Sequence, residues 1–312
     1  MAFKFLFGPV LSRRLGISLG VDIISAKTCN LNCVYCECGE TSCLSNEITE
    51  HVQISDVILE LRSFLSTSPK LDVITVTGSG EPTLNSGLGS LIGFLKAEFP
   101  GYTTALLTNG TLLHDTAVAK AALQFDYVLP SLDAVSNRAF SLVNRPHAGL
   151  SNGEIIEGII AFAKAYTGTL WLEVFIVPGI NDSAFELSLL KHAAEKINPT
   201  RVQLNTLDRP GTVDSIAPAS HDSLLAIARF FKPLPVEIIS RQYKAPVTVA
   251  LESDLRTAVV ATLKRRPLTM EDIARTTGHT INDISSLMTH LCQSTEVVLE
   301  TVGKHRFYKL TK

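Results

Sequence analysis

Short apolar runs rich in β-branched residues alternate with longer amphipathic stretches between residues 71 and 204. Runs of the first kind predict buried strands, and stretches of the second kind predict helices. The predicted strands cover residues 71–77, 103–108, 127–130, 170–177, 201–204 and 236–240, and the predicted helices cover residues 89–98, 115–123, 136–142, 152–165 and 183–196. This alternation predicts an α/β protein with a parallel sheet and outer helices, either an open doubly wound sheet or a complete or partial barrel.

The pattern changes near residue 251. The last part of the chain predicts a helix at 251–264, a short helix at 269–276, a third helix from about 280, and a hairpin that turns at Val302-Gly303-Lys304. Thr269 and Thr280 are each followed by acidic residues, as is typical of helix starts. Three helices and a hairpin are typical of a winged helix-turn-helix, so we expect one domain at 1–245 and a second at 251–312.

Composition and charge limit the function classes. With 312 residues, 46% hydrophobic and 19% charged, the chain is expected to fold around a large core. A net charge of -2 argues against a globally basic nucleic-acid binder, although residues 254–312 carry a net charge of +3. The hairpin holds the basic residues Lys304, His305, Arg306, Lys309 and Lys312. They suit phosphate contacts, or they belong to a solvated hairpin or a protein-docking surface.

No apolar window reaches the roughly 18 residues of a membrane span, so we expect no membrane association. Ser12-Arg13-Arg14 is similar to a twin-arginine export signal, but Asp22 and Lys27 interrupt the apolar run that follows it. Five of the six cysteines lie between Cys29 and Cys43, which indicates a metal site in a reducing compartment rather than disulfides. The expected location is the cytoplasm.

Three of these cysteines, Cys29, Cys33 and Cys36, form a C-x3-C-x2-C motif. Soft thiolate ligands select zinc or iron-sulfur clusters. A [4Fe-4S] cluster bound by three cysteines keeps one iron open for a small molecule. Structural zinc needs four ligands, and here it would have to recruit Cys38 or Cys43 without a second C-x2-C pair.

The motif, with an aromatic residue before its last cysteine, resembles the signature of the radical S-adenosylmethionine (radical SAM) superfamily. Thr77-Gly78-Ser79-Gly80-Glu81 follows the first predicted strand and is similar to the family's Gly-Gly-Glu element, which holds the methionine amino group. Glycines let the backbone approach a ligand closely, and a carboxylate accepts hydrogen bonds from an ammonium.

The resemblance implies a partial (βα)6 TIM-like barrel that binds a [4Fe-4S] cluster and S-adenosylmethionine. Cys29, Cys33 and Cys36 would be the cluster ligands. The residues implied to bind the S-adenosylmethionine are Tyr35, Gly78, Ser79, Gly80, Glu81, Asn109, Ser131, Asp133 and Asn205. Ser131 and Asp133 are candidates for ribose contacts or, equally, for helix caps.

Further segments resemble one particular group within this superfamily. Phe7-Gly8-Pro9-Val10, Ser12 to Gly16 and Asn144-Arg145-Pro146-His147 are similar to a group of iron-sulfur oxidoreductases near the wyosine-forming tRNA enzymes. Archaeal wyosine-forming enzymes carry additional cluster cysteines before the core, whereas this chain has no cysteine before Cys29. Wyosine chemistry is therefore not implied.

Cys38, Arg145 and His147 are the candidate catalytic residues. Cys38 is a candidate substrate-facing thiol or hydrogen-atom donor, or, with Cys43, an ordinary thiol of the cluster loop. Arg145 suits a carboxylate or phosphate, because its guanidinium forms a planar fork of donors. Alternatively, Arg145 forms a structural ion pair, and His147 forms a hydrogen bond within its loop.

The resemblance implies an enzyme that cleaves S-adenosylmethionine reductively to a 5'-deoxyadenosyl radical and takes hydrogen from a substrate. The implied partners are a reductant protein such as flavodoxin or ferredoxin, and a nucleic acid or protein bound through the winged helix. Two alternatives remain open: an activase that installs a radical on a partner protein, and a non-catalytic DNA-binding redox regulator. A pure regulator would not need the element from Gly78 to Glu81.

Overall fold

The computed structural model describes residues 3–25, 27–239, 255–263, 266–277, 279–302 and 305–311. Its strands are β1 (Leu6–Ser12), β2 (Gly16–Asp22), β3 (Thr28–Cys29), β4 (Cys43–Leu44), β5 (Val73–Thr77), β6 (Thr104–Thr108), β7 (Tyr127–Pro130), β8 (Thr169–Ile176), β9 (Arg201–Thr206), β10 (Val236–Ile238), β11 (Val297–Val302) and β12 (His305–Leu310). Its α-helices are α1 (Ile54–Leu65), α2 (Leu88–Glu98), α3 (Thr116–Ala122), α4 (Asn137–Val143), α5 (Asn152–Ala165), α6 (Ala184–Ile197), α7 (His221–Phe230), α8 (Leu255–Leu263), α9 (Met270–Thr277) and α10 (Ile281–Gln293).

One eight-stranded sheet organises residues 6–238, in the order β1-β2-β5-β6-β7-β8-β9-β10. Only the β1–β2 pair is antiparallel, and all other neighbours in this sheet are parallel. Arg14, in the β1–β2 turn, forms an ion pair with Glu173 of β8, with both side chains largely buried. Because this pair joins strands far apart in the strand order, the sheet must curve around an interior. The α/β class is confirmed, and the curvature is consistent with a partial barrel.

The core lies between this sheet and the helices that cover it. Leu61 of α1, Ile74 of β5, Leu91 of α2 and Leu106 of β6 are each 0% exposed. Continuous apolar strands such as β5, whose first four residues are buried, are typical of parallel sheets covered by helices. The carboxyl ends of the parallel strands therefore form one edge, where ligands bind in folds of this kind.

Side-chain caps explain where several helices begin. Asp115, Ser136, Ser183 and Ser220 each accept hydrogen bonds from backbone N–H groups in the first turns of α3, α4, α6 and α7. Such caps satisfy donors that have no partner within the helix. Ser183 thus caps the predicted helix that follows it.

Helices α8 to α10 and the hairpin β11–β12 follow in the predicted order and share a separate apolar cluster. Thr280 and Asp283 form a reciprocal capping box at the start of α10. Leu268 forms an isolated antiparallel bridge with Tyr308 of β12, so the segment before α9 lies against the hairpin. Helices α8 and α9 also contact β1.

The predicted strands and helices between residues 71 and 204 all occur, with ends shifted by at most two residues. The sequence pattern did not predict β1, β2, α1 or α7. Glycines and a proline interrupt β1 and β2, whereas α1 buries Ile54, Val57, Leu61 and Phe64 at helical spacing. Residues 240 and 251–254, the helix end at 264, the hairpin residues Gly303 and Lys304, and Lys312 lie outside the described residues. No helix in the described ranges is both long and apolar enough to cross a membrane.

Candidate active site

The loop that carries Cys29, Cys33 and Cys36 is held by backbone hydrogen bonds on two sides. Strand β3, which ends at Cys29, pairs with β4. On the other side, Asn32 N–H donates to the Asn144 carbonyl at 2.9 Å, within a segment that continues to residue 147. The three thiols are therefore presented from a rigid loop at the strand ends.

Hydrogen-bond donors point at all three sulfurs. The contacts are Lys27 Nζ to Cys36 Sγ at 3.1 Å, Asn144 Nδ2 to Cys33 Sγ at 3.4 Å, Leu31 N to Cys29 Sγ at 3.4 Å and Asn109 Nδ2 to Cys29 Sγ at 3.8 Å. Donors of this kind stabilise sulfur as thiolate and tune the reduction potential of iron-sulfur clusters. Lys27 and Asn144 were not among the predicted site residues.

The three thiols differ in acidity. Burial raises the pKa of Cys29 to about 12 and also raises the pKa of Cys33. The pKa of Cys36 falls to about 6, first because the Cys38 thiol donates a hydrogen bond to its sulfur and then because Lys27 lies beside it. Cys36 is therefore the thiol already prepared for metal binding, which requires the deprotonated form.

The cysteine arrangement fits a cluster better than a single ion. Among the described residues, no three His, Cys, Asp or Glu side chains converge as ligands for one metal ion. A [4Fe-4S] cluster takes its cysteines on different irons, and three partly buried thiols with sulfur-directed donors suit it.

The segment from Gly78 to Glu81 packs directly against the cluster loop. A Cβ on Gly80 would stand 1.7 Å from the carbonyl oxygen of Thr28, the residue before Cys29. The same carbonyl accepts a hydrogen bond from Glu81 N–H at 3.1 Å. Only glycine fits at position 80, so the second motif is fixed to the first.

Asp22, at the end of β2, anchors this loop from the other side. Its carboxylate accepts hydrogen bonds from Ser79 N–H at 3.1 Å and Ser79 Oγ at 2.6 Å. A Cβ on Gly78 would stand 2.6 Å from the Asp22 carboxylate. Asp22 was not predicted as a site residue, although its position at the end of an apolar run was visible in the sequence.

Glu81 is buried, with 2% of its surface exposed. Its carboxylate accepts hydrogen bonds from Thr83, from Thr108 Oγ1 at 2.6 Å and from Asn109 N–H at 2.7 Å. Burial raises the pKa of Glu81, and these donors oppose that rise. In this geometry Glu81 joins the loop after β5 to the end of β6, and its predicted contact with a methionine amino group stays a prediction.

Asp133, after β7, anchors the aromatic residue of the cysteine motif. Its carboxylate accepts hydrogen bonds from the Tyr35 hydroxyl, from Asn144 Nδ2 at 2.8 Å and from Phe175 N–H at 2.9 Å. Burial raises the pKa of Asp133 to about 6, against the effect of these donors. Tyr35, Asn109, Ser131 and Asp133 line one small cavity together. The structure thus brings these four predicted cofactor residues to one place.

The chain after β9 covers the cysteine loop. Thr212 Oγ1 donates to the backbone carbonyls of Cys33 and Val34 at 3.0 and 2.9 Å, and a Cβ on Gly211 would meet the same loop. The predicted site residue Asn205 is buried and accepts a hydrogen bond from Thr206 N–H. The covering contacts had no sequence signal, because nearly 180 residues separate the partners.

Arg145 and His147 line neither the small cavity beside Tyr35 nor the cavity that Cys38 lines. Arg145 is exposed with a left-handed φ of 46°, and the His147 ring accepts a hydrogen bond from Gly149 N–H in its own loop. His147 N–H donates to the Asn30 carbonyl, so the backbone of this segment supports the cluster loop. The predicted catalytic role of the two side chains stays a prediction, and the contact between the His147 ring and Gly149 N–H fits the loop alternative.

Cys38 lines a larger cavity of about 230 Å³. Gly78 and Ser79 line it as well, together with residues of β2 and β5, the β1–β2 turn, Thr262 and residues between 266 and 276. Cys38 also contacts Cys36, and its own pKa is raised, first by that hydrogen bond and then by burial. Its position permits either a substrate-facing role or a supporting role for Cys36.

The sequence matches the Radical SAM superfamily over residues 23–190. It is 37% identical to a Helicobacter pylori (strain J99) protein named UPF0026 protein over 309 residues, covering 97% of this chain and 96% of that protein. A radical SAM methyltransferase from Sphaerobacter thermophilus aligns with a TM-score of 0.53 at 19% identity, covering 71% of this chain and 66% of that one. Streptococcus suis SuiB bound to S-adenosylmethionine aligns with a TM-score of 0.52 at 14% identity, covering 70% and 50%.

The fold and the cysteine loop define an α/β protein of the radical SAM class. The chain belongs to the Radical SAM superfamily. The two solved structures are similar to it in fold.

Proposed function

We propose that this protein is a radical SAM enzyme whose [4Fe-4S] cluster is bound by Cys29, Cys33 and Cys36. The observation that carries the proposal is the contact between the two motifs. Thr28, next to Cys29, receives Glu81 N–H and lies against Gly80, so a cluster and an amino-acid ligand would be held side by side.

The cluster, when bound and reduced, supplies the electron that cleaves S-adenosylmethionine to methionine and a 5'-deoxyadenosyl radical, which takes hydrogen from the substrate. The chain holds, orients and shields, because the cofactor carries the difficult chemistry. Asp22 orients Ser79 and its loop, and Asp133 fixes Tyr35. Thr212 and Gly211 pack on the cysteine loop and would limit the access of water to it.

We further propose that residues 1–245 form the radical SAM domain and that 251–312 form a winged helix domain. The order α8, α9, α10, β11, β12 and the bridge from Leu268 to Tyr308 support the second assignment. The described basic residues of the hairpin, His305, Arg306 and Lys309, suit a nucleic acid or an acidic protein partner. A reductant such as flavodoxin or ferredoxin would supply electrons in the cytoplasm.

Anaerobic reconstitution with iron and sulfide, followed by reduction and addition of S-adenosylmethionine, tests the reaction. We expect 5'-deoxyadenosine from the wild type and from Cys43→Ala, because Cys43 is exposed and outside the motif. Cys33→Ala should yield none. Absence of product from a reduced wild-type protein with a complete cluster would contradict the proposal and favour a redox regulator.

Binding of S-adenosylmethionine to the loaded protein tests the second motif separately. Glu81→Ala should weaken binding, because it releases the loop that carries Ser79 and Gly80 from β6. Unchanged affinity in a folded Glu81→Ala variant would contradict the role given to this loop.

A further inference from the structure

The cavity of about 230 Å³ lies between the interior of the curved sheet and the C-terminal helices. On the sheet side, Ser18 of β2 and Thr75 of β5 form part of its wall. On the opposite side, the wall comes from Thr262 and from seven residues between 266 and 276, which include Arg266 and Arg275. The C-terminal segment therefore completes a binding space that the sheet alone would leave open.

This cavity extends to the proposed site of radical formation. Cys38 of the cluster loop and Ser79 of the glycine-containing loop both line it. A molecule in the cavity would therefore lie next to the cluster loop and the loop proposed to hold S-adenosylmethionine. That position is the one a substrate of the proposed reaction requires.

The lining is rich in arginine. Among the described lining residues, five are arginine and three are acidic. Arg14 is paired with Glu173, and Arg13 donates to Asp208 at 3.2 Å. These two guanidinium groups are therefore bound to carboxylates of the protein itself.

The other three arginines lie near three carboxylates, those of Glu37, Asp208 and Asp272. Arg209 donates to Glu37 at 2.9 Å and to Asp272 at 3.3 Å. Arg266 reaches Glu37 only at 4.0 Å, and Arg275 reaches Asp272 only at 3.6 Å. Both of these distances exceed hydrogen-bonding range, so among the described residues these two carboxylates leave the N–H groups of Arg266 and Arg275 open to a ligand.

A further observation favours an additional ligand beside these arginines. Arg209 is 5% exposed, and its Nε has no hydrogen-bond partner among the described residues. Buried donors without a partner are uncommon and suggest an additional ligand. An anion is the ligand that a guanidinium group binds best.

We infer that this cavity binds the substrate of the enzyme, and that the substrate is a small molecule whose carboxylate or phosphate group is held by Arg266 and Arg275. The inference rests on the proposed function. Planar guanidinium groups bind both kinds of oxyanion through paired hydrogen bonds. The C-terminal segment would thereby supply substrate recognition to a sheet that supplies the cofactor site.

Calorimetric titration of the reconstituted full chain with inorganic phosphate and with malonate, at equal ionic strength in sodium chloride, tests the inference. The two probes separate phosphate from carboxylate recognition. We expect at least one of them to bind, with its Kd raised about tenfold or more in Arg266→Gln and Arg275→Gln. The matched control is Arg256→Gln, which removes an ion pair with Glu296 in the same segment but away from the cavity.

Three results would overturn the inference. The first is that neither probe binds the wild type, and the second is that both glutamine variants bind the probe as tightly as the wild type does. The third is that S-adenosylmethionine competes with the probe or loses affinity in the same variants, which would assign the two arginines to the cofactor site. If the glutamine variants do not fold, Arg275→Lys keeps the charge near Asp272 and removes the planar fork. Unchanged probe affinity in that variant would also overturn the inference.

The titration needs no reduction and no turnover, so its result is independent of 5'-deoxyadenosine formation. A protein that forms 5'-deoxyadenosine but binds neither probe refutes only the substrate inference. A protein that binds a probe through Arg266 and Arg275 but forms no 5'-deoxyadenosine refutes the proposed reaction.

Discussion

The ring of Tyr35 stacks on the ring of Phe175, with 3.7 Å between the ring centroids and an angle of 9° between the planes. Tyr35 precedes the last cysteine of the motif, and Phe175 lies in β8. Since the Tyr35 hydroxyl also donates to Asp133, this side chain is fixed at both its face and its tip. It attaches the cysteine loop to β8 and to the segment after β7.

Tyr35→Phe removes the hydroxyl but keeps the stacked ring. We expect the free energy of unfolding to fall by about 2 kcal/mol, because a buried carboxylate loses a donor. Chemical denaturation measures this change. Tyr127→Phe, at a partly exposed tyrosine packed on Trp171, is the control and should have little effect. Equal losses in the two variants would refute the anchoring role of Tyr35.

Gly80→Ala places a methyl group against the Thr28 carbonyl, where backbone rather than a flexible side chain must move. We expect the variant to bind less iron on reconstitution and to melt at a lower temperature. Gly101→Ala is the matched control, because a Cβ there would meet nothing within 4 Å. Full iron content in a Gly80→Ala protein as stable as the control would show that the two loops are not in contact.

Asp126→Asn tests a pH-dependent contribution to stability. Asp126 accepts hydrogen bonds from Lys96 Nζ at 2.7 Å and from Thr104 N–H at 2.7 Å. Burial alone would raise its pKa, but these contacts bring the pKa below the ordinary value of 3.8. The carboxylate therefore stabilises the fold above that pH, and the stabilisation is lost as the pH falls below it.

At pH 7 we expect Asp126→Asn to lower the free energy of unfolding by about 1 kcal/mol. Most of this loss should come from the Thr104 contact, because solvent screens the half-exposed ion pair with Lys96. Urea unfolding of both proteins from neutral pH to about pH 3 measures the difference. The difference should shrink toward the acidic end of the series. A difference that stays constant across the series would mean that the charge of Asp126 makes no contribution.

Arg14→Leu leaves the Glu173 carboxylate largely buried, with a side-chain exposure of 15% and a hydrogen bond from Ser131. We expect the free energy of unfolding to fall by about 3 kcal/mol, because an unpaired buried charge is costly. The double variant Arg14→Leu/Glu173→Leu should recover most of this lost stability. A double-mutant cycle checks this expectation, and a double variant no more stable than Arg14→Leu alone would contradict it.

The sequence pattern predicts the parallel part of the sheet well, because buried strands such as Val73–Thr77 are apolar throughout and helix starts carry caps such as Ser183. The antiparallel β1–β2 pair escapes prediction because Gly8, Pro9 and Gly16 read locally as turns. Its strand character comes from pairing with β5, a contact between distant parts of the chain.

For the site, local motifs predict the cluster loop and the loop from Gly78 to Glu81, because their chemistry lies in consecutive residues. The partners Asp22, Asn144 and Thr212 come from elsewhere in the chain, and only the fold brings them to these loops. Arg145 and His147 were predicted from their residue types alone. Their catalytic role stays a prediction, and the backbone N–H of His147 supports the loop by donating to Asn30.

Strand β1 lies at one end of the eight-stranded order, and α8 and α9 contact it. An uncovered terminal strand offers unpaired N–H and carbonyl groups to other molecules and promotes edge-to-edge aggregation. The C-terminal helices thus act as a protective cover for this edge, in addition to forming a wall of the cavity. A chain shortened to its first 239 residues would be expected to self-associate even if its sheet still formed.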